Sequence, residues 1–255
     1  PPGIIVVGGV VSARDALGWF ERRPLIGQRV VITRPSSEAE PLAWALEDLG
    51  ADLIEVPLIR IAPASDPAAL DDAVRRAGEF DWIAFASANG ARAFLEAMTR
   101  ARVDARSLAG TRLAAVGEET GRALWTFRLW PDLVPGKFTG EALAAAFREM
   151  DMAGKRVLLP KGNLGRPTLE VSLRDQGAAV EVVEAYRTEP ETADPFGGRE
   201  RIAEEGADWV TFASPSAAEQ WFGQGVTCHG MWKVASIGPA TSAKLRSLGR
   251  EPEAE

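Results

Sequence analysis

The feature that most constrains this chain is that it repeats itself. Asp81-Trp82-Ile83-Ala84-Phe85-Ala86-Ser87 returns 127 residues later as Asp208-Trp209-Val210-Thr211-Phe212-Ala213-Ser214. The same offset pairs Arg29-Val30 with Arg156-Val157, Arg34 with Lys161, Gly50 with Gly177 and Arg60 with Arg187. Ala115-Val116-Gly117-Glu118-Glu119-Thr120 then pairs with Ser236-Ile237-Gly238-Pro239-Ala240-Thr241 at an offset of 121. A register held over several segments defines a duplicated unit, copy one near 29–150 and copy two near 156–255. By the 121 offset, copy two lacks about 15 residues of a last helix. The expectation is a natural protein that continues past Glu255.

Each copy alternates short apolar runs with amphipathic stretches. Residues 30–33, 53–61, 82–86 and 113–116 read as strands, the last two as strands buried on both faces. Helices are expected at 91–98 and 119–127, and at the spacing of Leu42, Leu46 and Leu49, with Gly50 as a stop. Copy two repeats the pattern: strands at 157–159, 180–185, 210–212 and 234–237, helices at 169–176, 217–222 and 240–248. Strand–helix alternation predicts parallel sheets covered by helices, and two copies predict two doubly wound α/β lobes.

Composition limits the functions available. Hydrophobic residues make up 46% and charged residues 25% of the 255, as in soluble globular proteins and against a mostly disordered chain. No apolar run approaches the ~20 residues that span a bilayer, and the opening segment has no basic leader, so neither a membrane span nor a secretory signal is expected. A single cysteine, Cys228, permits no internal disulfide, which fits a reducing, cytoplasmic setting. A single histidine, His229, argues against a zinc site or a histidine triad, and no metal site is expected. The net charge of −7 gives no support for general nucleic-acid binding. A G-x-x-x-x-G-K-[ST] loop is absent, and Gly8-Gly9 completes no dinucleotide fingerprint.

The chemistry is expected at strand ends, because ligands of open parallel sheets bind beyond the carboxyl ends of strands. Those ends read Thr33-Arg34-Pro35-Ser36-Ser37, Ser87-Ala88-Asn89-Gly90, Gly117-Glu118-Glu119-Thr120, Pro160-Lys161-Gly162-Asn163, Ser214-Pro215-Ser216 and Gly238-Pro239-Ala240-Thr241. Each opens a helix, where free N–H groups and the helix dipole favour anions. Capping alone explains any one of them; six facing one cleft would be a ligand site. Lys161, Arg34, Arg166 and Arg187 lie at or near these ends, and Tyr186, the one tyrosine, closes the run 180–185.

Taken in order, Phe-Ala-Ser-Ala-Asn-Gly (85–90), Val-Gly-Glu-Glu-Thr (116–120), Leu-Pro-Lys-Gly-Asn (159–163), Glu-Ala-Tyr-Arg-Thr (184–188), Phe-Ala-Ser-Pro-Ser (212–216) and Ile-Gly-Pro-Ala-Thr (237–241) resemble uroporphyrinogen-III synthase over about 27–252. Near the start, Ile4-Ile5-Val6-Val7-Gly8-Gly9-Val10-Val11 and Trp19-Phe20-Glu21-Arg22-Arg23-Pro24-Leu25 are similar to the C-terminal tail of uroporphyrinogen-III C-methyltransferase, which implies a fused module upstream. The resemblance implies an α/β fold of two duplicated doubly wound parallel-sheet lobes, joined by a two-stranded linker, with a cleft between them. The linker crossings would fall near 57–61 and 186–190. The implied divisions are 1–26 as methyltransferase tail, 27–57 plus 190–255 as a discontinuous, truncated lobe one, and 58–189 as lobe two.

What the resemblance implies for activity is the cyclisation of hydroxymethylbilane, a linear tetrapyrrole, with inversion of ring D and loss of water, without a cofactor. Eight substrate carboxylates would explain a cleft ringed by N–H groups, hydroxyls, amides and a few cations. The implied substrate-binding set is Arg34, Ser87, Asn89, Thr120, Lys161, Gly162, Asn163, Arg166, Ser214, Ser216 and Thr241. The family's recurrent cleft tyrosine matches Tyr186, and a phenol with a pKa of roughly 10 can donate a proton to the departing hydroxyl. Two rivals remain at this level: a non-catalytic two-lobed binder of a tetrapyrrole or small anion, and an enzyme of a phosphorylated metabolite.

Overall fold

The structure is a computed structural model and describes residues 7–13 and 18–255. Part of the methyltransferase-like segment, Ile4 to Val6, therefore lies outside the described residues. The chain divides into two units. The terminal unit combines the chain up to Arg60 with Glu189–Glu255, and the central unit is Ile61–Thr188.

The first elements are β1 (Arg29–Ile32), α1 (Ser36–Asp48), β2 (Asp52–Glu55) and β3 (Ile59–Pro63). The central unit continues with α2 (Pro67–Arg75), β4 (Trp82–Phe85), α3 (Ala88–Arg100), β5 (Arg112–Ala115), α4 (Glu118–Trp125), α5 (Gly140–Phe147), β6 (Arg156–Gly162), α6 (Thr168–Asp175) and β7 (Ala179–Pro190). The chain closes with α7 (Gly198–Glu205), β8 (Trp209–Phe212), α8 (Pro215–Gly223), β9 (Lys233–Ser236) and α9 (Pro239–Ser247).

Two sheets result, ordered β2-β1-β8-β9 and β3-β7-β6-β4-β5. The pairs β1–β2, β1–β8, β8–β9, β4–β5, β4–β6 and β6–β7 are all parallel. The sequence offset now acquires a spatial meaning. At +127, β1 matches β6, β2 matches β7 and β4 matches β8; at +121, β5 matches β9. Each sheet takes two of these strands from each copy, in equivalent order. A copy taken alone thus does not make up one sheet.

Both faces of each sheet are covered, and strand periodicity explains how. All four residues of β4 are buried. Ile83 and Phe85 join a core with Phe94, Leu95 and Met98 of α3 and Leu124 of α4. Trp82 and Ala84 point the other way, to Leu143 and Phe147 of α5 and to Leu169 and Leu173 of α6. In α3, Ala91, Phe94, Leu95 and Met98 fall on one helical stripe. Fully burying a side chain such as Phe94 is worth roughly 1.5–3 kcal/mol. In the terminal unit, Val31 packs with Val210, Phe212 and Trp221, while Ile32 packs with Ala39 and Ala43 of α1.

The strand starts are tied by a matched pair of carboxylates. Asp81 Oδ2 accepts the backbone N–H of Arg156 at 2.8 Å, and Asp208 Oδ2 accepts that of Arg29 at 2.7 Å. The Arg156 amide, then the Lys155 ammonium, hold the Asp81 carboxyl below the usual carboxylate range. Three expectations change. The run 53–61 is interrupted between β2 and β3, where Pro57 has no N–H to donate. The run 180–185 extends to Pro190 in β7. Helix α2, not foreseen, buries a stripe at Leu70, Ala73 and Val74 and is capped by Asp66, which accepts from Ala68 and Ala69, whereas α7 buries little beyond Ile202.

Candidate functional site

In the central unit, β4, β5 and β6 deliver three strand-end loops. After β4, Ser87 has an extended backbone and its Oγ accepts the Gly90 N–H at 3.1 Å, capping α3. Asn89 lies in the first turn, and its Oδ1 accepts from Arg92 at 2.8 Å. After β5, Gly117 precedes α4, and Thr120 is buried in the first turn. A side chain at Gly117 would meet Phe138 at 2.8 Å, so the loop needs glycine for close packing. At the end of β6, Lys161 donates to Glu170 of α6 at 3.0 Å, and in the loop that follows Arg166 lies 3.5 Å from Glu141 of α5. The Lys161 hydrogen bond is the main cause that holds the Glu170 carboxyl below its ordinary range.

Tyr186 stands where β6 and β7 fall out of register, between Lys161 and Gly162. Asn163 closes that irregularity: its N–H donates to the Tyr186 carbonyl at 3.3 Å, and its Oδ1 accepts the Thr188 N–H at 2.8 Å. A Cβ on Gly162 would lie 2.6 Å from the Tyr186 ring, so the glycine makes room for the phenol. Tyr186 Oη then reaches Ser87 Oγ at 3.2 Å.

A pocket of about 270 Å³ opens here, entirely within the central unit. Of the expected residues it brings together Ser87, Lys161, Gly162, Arg166 and Tyr186. Asn89, Thr120 and Asn163 are not on its wall. Residues not foreseen also line it, among them Thr139, Gly140 and Glu141 at the start of α5 and Thr168 and Leu169 of α6. The available signal was Thr139 itself, which accepts the Ala142 N–H at 3.1 Å as an N-cap.

The terminal unit holds the counterparts. Arg34 follows β1 and pairs with Glu38 at 3.2 Å, while its Nε is buried without a hydrogen-bond partner. Ser214 caps α8 through the Ala217 N–H at 3.1 Å, and its Oγ lies 3.0 Å from Ser216 Oγ. Thr241 is buried in the first turn of α9, as Thr120 is in α4. The expected cations are thus not bare charges. Lys161, Arg34, Arg166 and Arg187 each face a glutamate: Glu170, Glu38, Glu141 and Glu184. An anionic ligand at these ends would meet backbone N–H groups and hydroxyls first. Among the described residues, no cluster of His, Cys, Asp and Glu could hold a metal ion, and no helix is long and apolar enough to cross a membrane.

Sheet order and helix cover define an α/β protein built on parallel sheets. The family model described as uroporphyrinogen-III synthase HemD matches residues 40–255, and the chain belongs to that family. A porphyrin biosynthesis protein HemD of Ruminiclostridium josui is 30% identical over 218 residues, 86% of this chain but 43% of its own length. A uroporphyrinogen-III synthase of Synechococcus elongatus is 29% identical over 242 residues, 91% of each chain. A Bacillus subtilis uroporphyrinogen-III C-methyltransferase is 33% identical over 118 residues, 46% of this chain and 23% of its own. Among solved structures, a mutant uroporphyrinogen III synthase from Thermus thermophilus shares the fold at a TM-score of 0.63 and 22% identity, covering 89% of this chain and 92% of its own.

Proposed function

We propose that this chain cyclises hydroxymethylbilane to uroporphyrinogen III, inverting ring D and releasing water, as a cytoplasmic step of tetrapyrrole biosynthesis. The observation that carries the reading is the seat of Tyr186. The one tyrosine of the chain lines a strand-end pocket, on a glycine that leaves it room and beside a serine hydroxyl.

The chemistry follows from what these residues can supply. The terminal hydroxymethyl group of the substrate loses hydroxide, a poor leaving group. The neighbouring pyrrole nitrogen pushes it out, and a proton from Tyr186 lets it depart as water. The resulting electrophile is attacked by the substituted carbon of ring D, and rearrangement inverts that ring. Directing attack to the substituted carbon is a positioning task. Its handles are the substrate's acetate and propionate carboxylates. Ser87, Asn89, Thr120, Lys161, Gly162, Asn163 and Arg166 in the central unit, and Arg34, Ser214, Ser216 and Thr241 in the terminal unit, supply the N–H, hydroxyl, amide and cationic contacts. We also assign 1–26 to the end of a fused methyltransferase, 27–57 with 190–255 to one lobe and 58–189 to the other. The proteins of Ruminiclostridium josui and Bacillus subtilis, of which the chain covers only part, support a fused partner.

The test is direct. Freshly prepared hydroxymethylbilane is incubated with the chain, and the products are oxidised and separated by isomer. Type III product is the expected result. Spontaneous type I alone would refute the synthase reading and leave a binder.

A further inference from the structure

A further cavity, of about 620 Å³, lies in the terminal unit at the amino ends of β1, β8 and β9. These strands are parallel, so this edge of the sheet is opposite to the one that carries Arg34, Ser214 and Thr241. The internal repeat separates what the fold requires of the cavity wall from what it does not. Asp208 and Glu253 accept the backbone N–H groups of Arg29 at 2.7 Å and of Val234 at 2.6 Å. Their counterparts in the central unit, Asp81 and Asp132, do the same for Arg156 and Leu113, both at 2.8 Å. Lys233 Nζ lies 5.2 Å from the centre of the Trp209 ring, as the Arg112 guanidinium lies 5.5 Å from that of Trp82. The fold itself thus accounts for Asp208, Glu253 and Lys233.

It does not account for Arg250. The Arg250 N–H donates to the Leu245 carbonyl at 2.9 Å, as that of Leu129 does to Leu124 at 3.2 Å, so the two positions are equivalent. Leu129 packs against an apolar core, whereas Arg250 brings a guanidinium to the cavity wall. Its Cζ stands 4.2 Å over the Trp232 ring, and its Nη2 donates to the Trp232 carbonyl at 2.5 Å. Among the described residues its buried Nε finds no hydrogen-bond partner, and no carboxylate forms an ion pair with it. A buried N–H left unsatisfied destabilises, and the central unit folds with leucine in this place. Trp232 and the almost fully exposed Met231 likewise stand where the central unit has Thr111 and Gly110. What the repeat leaves unexplained is one guanidinium beside an indole and a thioether. A planar guanidinium suits carboxylate or phosphate oxygens, and an indole with a thioether suits an aromatic body. We propose that this cavity binds an aromatic organic anion, with Arg250 holding its carboxylate or phosphate and Trp232 and Met231 forming the apolar wall.

The test titrates the full ¹⁵N-labelled chain at pH 7 with benzoate, phenyl phosphate, neutral benzamide and cationic benzylamine. The Arg250 Nε–H resonance and the backbone amides of 230–233 are followed. One or both anions should shift them saturably with a Kd of about 1 mM or tighter, and benzamide should bind about 10-fold more weakly or not at all. The tighter of the two anions identifies the head group. Arg250→Leu installs the central unit's own residue, so its thermal midpoint should equal or exceed that of the wild type, while anion binding falls about 10-fold or more. No saturable shift from either anion overturns the proposal. So do equal binding of benzamide, tighter binding of benzylamine through Asp208 and Glu253, and anion binding that survives Arg250→Leu. A lowered midpoint in Arg250→Leu, with no anion bound by the wild type, makes the guanidinium a structural cover for Trp232. These measurements read binding alone, so they stand or fall separately from the synthase assay.

Discussion

Tyr186 and Gly162 carry the sharpest consequences at the scale of single residues. Tyr186→Phe keeps the ring on its glycine seat and removes one proton donor. A general acid contributes ~10²–10⁴-fold, and the pyrrole's own push places the expected loss of type III formation near the low end, about 10²-fold. The thermal midpoint should stay close to wild type. Unchanged rate and isomer ratio would make the hydroxyl structural. Gly162→Ala acts differently, because the new methyl would sit 2.6 Å from the ring. The ring must move, so activity should fall at least as far as in Tyr186→Phe, with a stability cost of about 1–3 kcal/mol. Chemical denaturation and isomer analysis on the same sample check both.

Among the elements, the carboxylate ahead of β4 is the joint to test. Asp81 accepts the first amide of β6 and the Lys155 ammonium, both while ionised. Its folded pKa is lowered, so the stability it adds is present above the unfolded value, roughly 3.9, and is lost as pH falls through the folded value. Asp81→Asn should therefore destabilise at pH 7 by about 1 kcal/mol, discounted for its solvent exposure. The gap to wild type should hold above about pH 5 and close as pH drops from about 5 to 2. Urea denaturation across that range is the measurement, and a constant gap would show that the ionised carboxylate is not what matters. Element types were largely readable for the same local reasons. Trp82 to Phe85 is an unbroken apolar run, and Ala91, Phe94, Leu95 and Met98 recur at helical spacing. Helix α7 of the terminal unit was not, since Gly-Arg-Glu-Arg-Ile-Ala-Glu-Glu buries little beyond Ile202. Only tertiary packing gives it a face.

For the whole molecule, chain continuity separates the two units. The central unit is one stretch, Ile61–Thr188, with its own cores on both faces of its sheet. A fragment spanning 59–190 should fold alone and unfold in one cooperative step. The terminal unit is assembled from both ends, and β1 needs β8 beside it. The segment up to Arg60 should therefore gain structure only when 189–255 is supplied. Circular dichroism and thermal melting of the fragments, separately and mixed, decide this.

The sequence by itself determined the repeat, the alternation of strand and helix, and the residue types at every strand end, because each is written in local spacing. It also marked Tyr186 as unusual, being the chain's one phenol. Tertiary structure alone decided that each sheet mixes the two copies, since hydrogen-bonded neighbours are chosen by burial and not by order along the chain. It likewise decided that Lys161 is spoken for by Glu170, and that Tyr186 meets Ser87, 99 residues away. Those partners come from other elements, and only the packed sheet, with its break in register at Gly162, brings the two hydroxyls within reach.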